Sequence, residues 1–307
     1  MPEGPPGAPE VTRKRGAQPE NAAERKKTCW GILTSQGSWA DRSPLHEAAS
    51  QGRLLVLRTL LAQGYQANIV TIDHVTPLHE ACLSGHVACV RALIHAGANV
   101  NAATIDGVTP LYNCCASGSA SCAELLLQNG ARTQTAQLHF PSALHEACRR
   151  GHSRCVEALL SHGADPDYQV PHLGSPLYVA CLNQHTACSR ILLQRGASVN
   201  VGRGGDSPLH AAVRQDRAEQ VAALLDYGAD VNLRDGDNQR PVELAPPGGK
   251  TRQLLLAFEG SPRTLCQLCR LQIRSLIGRS RLKQLPLLPL PPLLTHYLQH
   301  SWMTAGQ

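Results

Sequence analysis

Large aromatic and flexible apolar side chains are scarce in this 307-residue chain, which contains two Phe and two Met. Aromatic side chains dominate the cores of many globular domains, so their scarcity argues against one large aromatic-rich core. No apolar run approaches the roughly 20 residues that a membrane-spanning helix needs. We therefore expect small side chains to carry the packing and no membrane partner.

An excess of positive over negative charge is also missing from most of the chain, although the net charge of the whole chain is +6. From Lys250 onward, eight basic residues and one acidic residue give +7, which leaves −1 for everything before it. A nucleic-acid-binding surface needs a basic excess. The preceding residues therefore predict no nucleic-acid partner.

Motifs for catalysis and cofactor binding are lacking as well. The glycine-rich stretch 202–205 neither fits the Gly-x-Gly-x-x-Gly spacing nor follows a strand, so it is not a phosphate-binding fingerprint. No set of nucleophile, base and orienting residue can be assembled from the sequence. We expect no catalytic residue, no metal and no cofactor, and the chain is predicted not to be an enzyme by itself.

The sequence does contain a motif that returns seven times. A motif of the form Thr-Pro-Leu-His-Glu-Ala-Cys recurs at spacings of 33, 33, 33, 33, 32 and 33 residues. A period in this range is typical of a stacked repeat array. The copies begin at Ser43, Thr76, Thr109, Ser142, Ser175, Ser207 and Arg240.

The chemistry of one copy predicts a helical hairpin. Thr76 can cap a helix that has Pro77 at its first position, where the missing N–H costs nothing. A turn at Gly85 precedes a second apolar pattern, and Gly97 is placed as the left-handed cap of that second helix. Each repeat is therefore predicted to be two helices followed by an extended tip.

Eight of the twelve cysteines follow the same period and predict core packing rather than disulfides. With no apolar signal segment at its start, the chain is expected to remain in a reducing compartment, where free thiols act as small apolar side chains. The phased cysteines are Cys82, Cys115, Cys148, Cys181, Cys89, Cys122, Cys155 and Cys188.

This motif, together with Gly-Ala-x-Val-Asn, resembles the ankyrin repeat. The resemblance implies a solenoid of paired antiparallel helices whose tips project from one side and form a concave protein-binding surface. It also implies that one histidine of each motif braces the start of its helix by hydrogen bonding. These histidines are His46, His79, His145 and His210, and two repeats carry Tyr112 and Tyr178 at that position.

Departures from the repeat are the expected source of recognition, because a binding surface must vary from one repeat to the next. We predict that exposed apolar residues at the tips and an arginine pair in repeat four bind a protein substrate. Packing of tip against tip is an equally good interpretation of the apolar residues. The candidates are Ile72, Ile105, Leu138, Phe140, Arg149 and Arg150.

A different pattern follows Gly260. Thr264 is placed to cap a helix in which Leu265, Cys269, Ile273 and Leu276 form one apolar stripe. The arginines of this segment, at positions 270, 274 and 281, are expected to stay in water. Such a helix must either fold back on repeat seven or enter a groove of another protein.

The first part of this tail resembles the elongin-binding box of a SOCS box, on the pattern Thr264-Leu265-x-x-x-Cys269-x-x-x-Ile273. The resemblance implies binding to elongin B/elongin C, with the leucine entering a pocket. A zinc or redox role for Cys266 and Cys269 is disfavoured because no second Cys pair follows. The implied elongin-binding residues are Leu265, Leu268, Cys269, Ile273 and Leu276.

The second part, residues 288–298, resembles a cullin box of the pattern Leu-Pro-Leu-Pro-x-x-Leu-x-x-Tyr-Leu. It implies a cullin of the cullin-5 type that carries a ring-box protein. A plain Pro-rich linker or a ligand of a Pro-binding domain is the alternative. The implied cullin-binding residues are Leu288, Pro289, Leu290, Pro291, Leu294, Tyr297 and Leu298.

The sequence thus resembles the ankyrin repeat and SOCS box family over about residues 39–300. We expect an all-α fold with a basic, disordered arm (1–38), an ankyrin array (39–258), a three-helix SOCS box (259–300) and a short tail (301–307). The implied function is substrate recognition for an elongin–cullin ubiquitin ligase, and the alternative is an ankyrin scaffold or inhibitor that does not promote degradation. The expected location is the cytoplasm, with the nucleus left open by two basic clusters in the arm.

Overall fold

A computed structural model describes residues 42–134, 140–261, 263–282 and 284–299. Within these ranges the secondary structure is helical, apart from two isolated β-bridges that close the tips at Val170↔Gly174 and Arg203↔Asp206. The predicted all-α class is therefore confirmed. The predicted N-terminal arm (1–38) and the predicted short tail (301–307) lie outside the described residues.

Each of the seven repeats contributes a first helix that begins directly after its capping residue. Thr109, for example, accepts a hydrogen bond from the Tyr112 amide at 3.2 Å, which satisfies one of the free amides of that helix end. The first helices are α1 (Pro44–Ser50), α3 (Pro77–Leu83), α5 (Pro110–Ser117), α7 (Ala143–Arg150), α9 (Pro176–Leu182), α11 (Pro208–Arg214) and α13 (Pro241–Leu244).

A second helix returns antiparallel to the first in each repeat. In repeats one to six it ends before a glycine of positive φ, such as Gly97 (φ +81°) after α4. That conformation carries little cost for glycine, as predicted. The second helices are α2 (Leu54–Ala62), α4 (Val87–His95), α6 (Ala120–Gln128), α8 (Ser153–Ser161), α10 (Thr186–Gln194), α12 (Ala218–Asp226) and α14 (Lys250–Gly260).

Neighbouring repeats pack first helix on first helix and second helix on second helix, so that the core runs along the array. Its members are mostly Leu, Ala, Val and Cys, and all eight phased cysteines are buried free thiols. Burial raises the pKa of Cys148 well above its usual value. The cysteines therefore act as small apolar core residues, as predicted.

In four repeats the motif histidine bonds to a backbone carbonyl of the tip that follows. His79 Nε2 donates to the Val108 carbonyl oxygen at 3.1 Å, and Nδ1 accepts from the Thr76 amide at 3.1 Å at the cap of its own helix. Because one ring nitrogen donates and the other accepts, the imidazole is a neutral Nε2–H tautomer. Burial lowers the pKa of His79 and of His145 to about 4. The predicted bracing role is confirmed.

After repeat seven, whose first helix α13 has only four residues, the tail forms a separate helical unit. Its buried centre contains Leu282, Leu285 and Leu298. The tail elements are α15 (Leu265–Ile277), α16 (Arg279–Leu282), a 3-10 turn (Leu285–Leu287) and α17 (Pro292–Leu298).

Among the described residues, none of these helices combines the length and apolar character needed to cross a bilayer. The same part of the chain contains no group of three or more His, Cys, Asp or Glu side chains placed to hold a metal ion.

Candidate functional site

Helix α15 begins with a complete capping box and carries an exposed apolar stripe. The Thr264 hydroxyl accepts from the Gln267 amide at 3.2 Å, and the Gln267 side-chain oxygen accepts from the Thr264 amide at 3.0 Å. Leu265 and Leu276, at opposite ends of the stripe, are 76% and 75% exposed. The remaining elongin-binding candidates, Leu268, Cys269 and Ile273, are also exposed.

The opposite face of α15 is buried, and the residues it buries are arginines. The expectation that Arg270 and Arg274 stay in water is wrong, since both are buried, whereas Arg281 is exposed as expected. A guanidinium can be buried when its N–H groups find acceptors. The ends of the second helices of the array provide those acceptors.

The contacts between α15 and the array form a joint, and Arg274 lies at its centre. Its Nη2 donates to the carbonyl oxygens of Leu193 and Gln194, both at 3.0 Å, and its Nη1 donates to the Leu298 carbonyl oxygen at 2.7 Å. Leu193 and Gln194 end α10, where carbonyl groups lack intrahelical partners and the helix dipole favours a cation. Burial lowers the pKa of Arg274. One side chain thus ties α15 to repeat five and to the end of the tail.

Other arginines extend the joint along the array. Arg270 pairs with Asp226, the last residue of α12, and lies over the Tyr297 ring with 4.7 Å between Cζ and the ring centroid. Arg279 pairs with Asp167 and lies 3.5 Å from Asp165. The tail therefore lies against repeats four to six.

Apolar side chains of the tail contact the glycines that follow α10 and α12. A Cβ at Gly196 would lie 2.8 Å from Leu282 Cδ1, and one at Gly228 would lie 3.2 Å from Leu271 Cδ1. Both glycines have positive φ as helix caps, at +85° and +94°. Gly196 and Gly228 therefore have two roles: each caps a second helix of the array, and each allows the tail to approach the array closely.

The candidate cullin-binding residues divide into an exposed and a buried group. Leu288, Pro289, Pro291 and Leu294 are exposed, and Leu290 and Tyr297 are half-buried. Leu298 is 2% exposed and packs with Leu282 and Leu285 inside the tail. Leu298 is thus placed to shape the segment, while the exposed prolines and leucines are placed to contact another molecule.

The candidate substrate-binding residues of repeats two and three are on the surface. Ile72 and Ile105 are 70% and 59% exposed on successive tips. The Ile105 amide donates to the Asp73 carbonyl oxygen at 3.2 Å, so the backbones of the two tips are in contact while the side chains remain available. Leu138 lies outside the described residues.

The candidates of repeat four meet at a buried carboxylate that sequence reasoning missed. Glu146, which is 2% exposed, accepts from Arg149, from Arg150 and from the Tyr112 hydroxyl. The ring of Phe140 packs on Tyr112 with a centroid distance of 5.3 Å. Phe140, Arg149 and Arg150, which were selected separately, are therefore parts of one cluster.

The electrostatics of this cluster follow from burial and from the charge of Glu146. Burial and the neighbouring carboxylate raise the pKa of Tyr112, so that its hydroxyl remains a proton donor. The hydrogen bonds to Glu146 raise the pKa of Arg149. One signal in the sequence could have located Glu146: it precedes two arginines by three and four positions, the spacing at which helical side chains meet.

Comparison with known proteins identifies both parts of the chain. The family of ankyrin repeats (3 copies) matches residues 22–104, 45–137, 101–170 and 144–235, and the SOCS box family matches residues 261–299. Ankyrin repeat and SOCS box protein 5 of Mus musculus is 56% identical over 281 residues, or 92% of this chain and 85% of the mouse protein. The chain belongs to the ankyrin repeat and SOCS box family.

Other members and solved structures agree with this assignment. Ankyrin repeat and SOCS box protein 11 of Homo sapiens is 50% identical over 263 residues, which cover 86% of this chain and 81% of the human protein. The crystal structure of the human ASB11 ankyrin repeat domain is 51% identical with a TM-score of 0.68, covering 72% of this chain and all of that domain. The Bcl-3 ankyrin repeat domain, at 30% identity, covers 70% of this chain and 98% of that domain with a TM-score of 0.60.

Family membership also supports a general role. A SOCS box behind an ankyrin array is the arrangement of ubiquitin-ligase substrate adaptors of the elongin–cullin type.

Proposed function

We propose that this chain is the substrate-recognition subunit of an elongin–cullin–SOCS-box ubiquitin ligase. The ankyrin surface holds a target protein, α15 binds elongin B/elongin C, and residues 288–298 select a cullin of the cullin-5 type with its ring-box protein. The observation that carries the proposal is the apolar stripe of α15, which is exposed although the opposite face of the same helix is fixed to the array.

The stripe has the properties of a partner-binding surface. Leu265 and Leu276 are about three-quarters exposed, and the stripe between them is three turns of one regular helix. Contiguous exposed apolar surface is unfavourable in water and marks interaction sites. A helix whose other face is held by buried arginines presents these side chains with little loss of entropy on binding. This favours insertion of the stripe into a preformed groove of elongin C.

The proline-rich segment supports the second contact. Pro289 and Pro291 are exposed and restrict the backbone between the 3-10 turn and α17. A stiff segment can display Leu288 and Leu294 in a defined geometry at low entropic cost. These side chains are suited to recognise a cullin beside the elongin site.

The proposed mechanism is proximity. The adaptor holds a target close to a charged conjugating enzyme, which raises the effective concentration of a target lysine by orders of magnitude. The chemical step belongs to the partners in this proposal. The task of this chain is to set the distance and orientation between the target and the ligase, and the rigid joint at Arg274 suits that task.

Replacement of two stripe residues tests the elongin site. The double variant Leu265→Arg and Cys269→Gln should abolish co-purification of elongin B/elongin C, because charged and larger groups would enter an apolar groove. Thermal unfolding of the array should not change, since both side chains are exposed. Leu55→Arg, at an array leucine that is 78% exposed, is the matched control and should retain elongin. Full elongin binding by the double variant would disprove the site.

A second pair of variants separates the cullin contact from the elongin contact. Pro289→Ala with Pro291→Ala should weaken capture of the cullin and leave elongin bound, because the segment gains conformational freedom without losing its leucines. Pro286→Ala changes an exposed proline outside this run and should have no effect. Equal loss of cullin and elongin in the double variant would contradict two separate contacts.

A further inference from the structure

The cluster around Glu146 holds two arginines side by side in the last turn of α7. Glu146 accepts from Arg149 Nε at 2.8 Å and Nη2 at 2.6 Å, from Arg150 Nε at 2.9 Å, and from the Tyr112 hydroxyl at 3.0 Å. Its oxygens are thus occupied by four donors. The carboxylate is 2% exposed and orients the guanidinium groups without competing for a ligand outside.

The arginines themselves are accessible. The side chain of Arg149 is 34% exposed and that of Arg150 is 29% exposed. Arg150 uses Nε for Glu146, and the described residues place no hydrogen-bond partner on its Nη1 or Nη2. These two nitrogens of a planar guanidinium carry parallel N–H groups that match the two oxygens of a carboxylate. Arg150 therefore keeps two donor nitrogens that no described residue occupies, on a side chain that is partly exposed.

Among the described residues, Arg149 and Arg150 form their ion pairs with Glu146. Two guanidinium groups and one carboxylate leave a charge of +1, and residues 135–139, which are outside the described part of the chain, include no Asp or Glu. The positions one period before and after the arginine pair are uncharged. They are Ala116, Ser117, Leu182 and Asn183.

We propose that Arg150, held beside Arg149 by Glu146 and Tyr112, is the receptor for a carboxylate side chain in an acidic segment of the target protein. Leu182, which is 41% exposed at the position one repeat beyond Arg149, provides an apolar contact next to it. The inference rests on the proposed adaptor function for its biological meaning, because it specifies which chemistry of target the ankyrin surface selects.

Charge rather than geometry favours a carboxylate over a phosphate group, because the paired N–H groups of an arginine bind either one in the same bidentate way. A carboxylate brings one negative charge and balances the +1 of the cluster, whereas a phosphorylated side chain carries about −1.5 to −2 at neutral pH and would leave a negative excess. A phosphopeptide is therefore the alternative that the test must separate.

Selection from a displayed library of random dodecapeptides on the full chain tests this site. We expect Asp or Glu to be enriched at one peptide position with the native chain, and the enrichment to disappear with Arg150→Gln. Arg154→Gln is the matched control, because Arg154 is an exposed arginine of the same repeat on helix α8 and its replacement changes the charge equally. This control should retain the enrichment.

Binding of a selected peptide, measured by fluorescence polarisation, separates the roles of charge and geometry. Arg150→Gln should weaken binding by about 10-fold or more, the scale expected for a lost charge-assisted hydrogen bond. Arg150→Lys keeps the charge without the planar pair of donors and should recover only part of the affinity. Circular dichroism should show an unchanged array in all three variants, since these side chains lie at the surface.

Two results would overturn the proposed carboxylate site. Absence of acidic enrichment, or enrichment that persists in Arg150→Gln, would overturn the site. Tenfold tighter binding after replacement of the selected Asp or Glu by phosphoserine would overturn the carboxylate assignment. Co-purification of elongin B/elongin C is measured on the same variants and should be unchanged. Absence of an acidic preference in the native chain, with elongin retained, would thus reject this site alone, whereas failure of the native chain to bind elongin would reject the adaptor function.

Discussion

The ankyrin array and the tail place apolar and charged side chains in opposite ways. The array buries leucines such as Leu159 at 0% exposure, whereas the tail leaves Leu276 75% exposed and buries Arg270 and Arg274 at 5% and 8%. The same residue type thus stabilises the fold in one region and remains available in the other. The array is therefore stabilised by apolar burial, whereas the tail is joined to the array largely through arginines and leaves the apolar stripe of α15 exposed.

A joint made of polar contacts suits the tail, because it leaves the apolar side chains of α15 exposed. If the leucines of the exposed stripe, such as Leu265 and Leu276, packed on the array, they could not bind a second protein. The arginines instead bond to carbonyl groups at the ends of outer helices, where acceptors lack intrahelical partners. Docking through these groups leaves the apolar stripe free and fixes its direction.

Truncation of one leucine in each region should give the largest difference in stability between the array and the tail. Leu159→Ala should lower the free energy of unfolding by about 3–5 kcal/mol, because it removes buried surface and leaves a cavity. Leu276→Ala should change it by less than about 0.5 kcal/mol, as expected for a surface position. Urea denaturation followed by circular dichroism measures both. Comparable losses in the two variants would show that the stripe of α15 is covered within the chain.

The array was predictable from sequence because its constraints are local and recur. A capping residue, a proline at the first helical position and a positive-φ glycine specify each hairpin, and the period assigns Cys148 and its counterparts to the core. The apolar stripe of α15 was also predictable from its helical spacing.

The joint was not predictable, because its acceptors come from distant parts of the chain. Arg274 contacts residues about 80 positions earlier, and those acceptors are backbone carbonyls, which have no side-chain signature. A helical pattern separates apolar from charged faces but does not say which face is buried, and the usual assumption fails at Arg270 and Arg274. Glu146 was missed for a similar reason, because its donor Tyr112 lies one repeat away.

Mild acid should weaken the array and spare the tail joint. The pKa of His79 and of His145 falls from 6.5 to about 4 on folding because of burial. The unfolded chain therefore binds more protons between these values, and stability is complete above pH 6.5 and decreases as the pH falls toward 4. At pH 5 each of these two histidines should lower the free energy of unfolding by about 2 kcal/mol relative to pH 7.5.

Urea denaturation at the two pH values measures this effect. His79→Gln should remove about 2 kcal/mol of the pH-dependent loss, while His95→Gln, at an exposed histidine of α4, should leave the loss unchanged. A pH dependence that is the same in both variants would contradict the assignment of buried neutral histidines as its source.

Loss of the central arginine should release the tail without unfolding the array. Arg274→Gln removes donors from three carbonyl groups, and we expect a local cost of about 1.5–3 kcal/mol. Hydrogen exchange should become faster in α15 and remain slow in α8. Arg281→Gln, at an exposed arginine of the same tail, is the control. Unchanged protection of α15 in Arg274→Gln would mean that apolar contacts such as Leu282 on Gly196 hold the joint.

The smallest effect should come from a place where the array, like the tail joint, uses buried polar contacts. Tyr112→Phe removes the hydroxyl that donates to Glu146 at 3.0 Å but keeps the ring that packs on Phe140, so the expected loss is about 1 kcal/mol. Tyr65→Phe, at an exposed tyrosine, should change stability by much less. If Tyr112→Phe is neutral in urea denaturation, the two arginines alone satisfy the buried carboxylate. A loss near the expected value would show that the polar cluster contributes to array stability through a contact between two repeats, as the arginines do between the array and the tail.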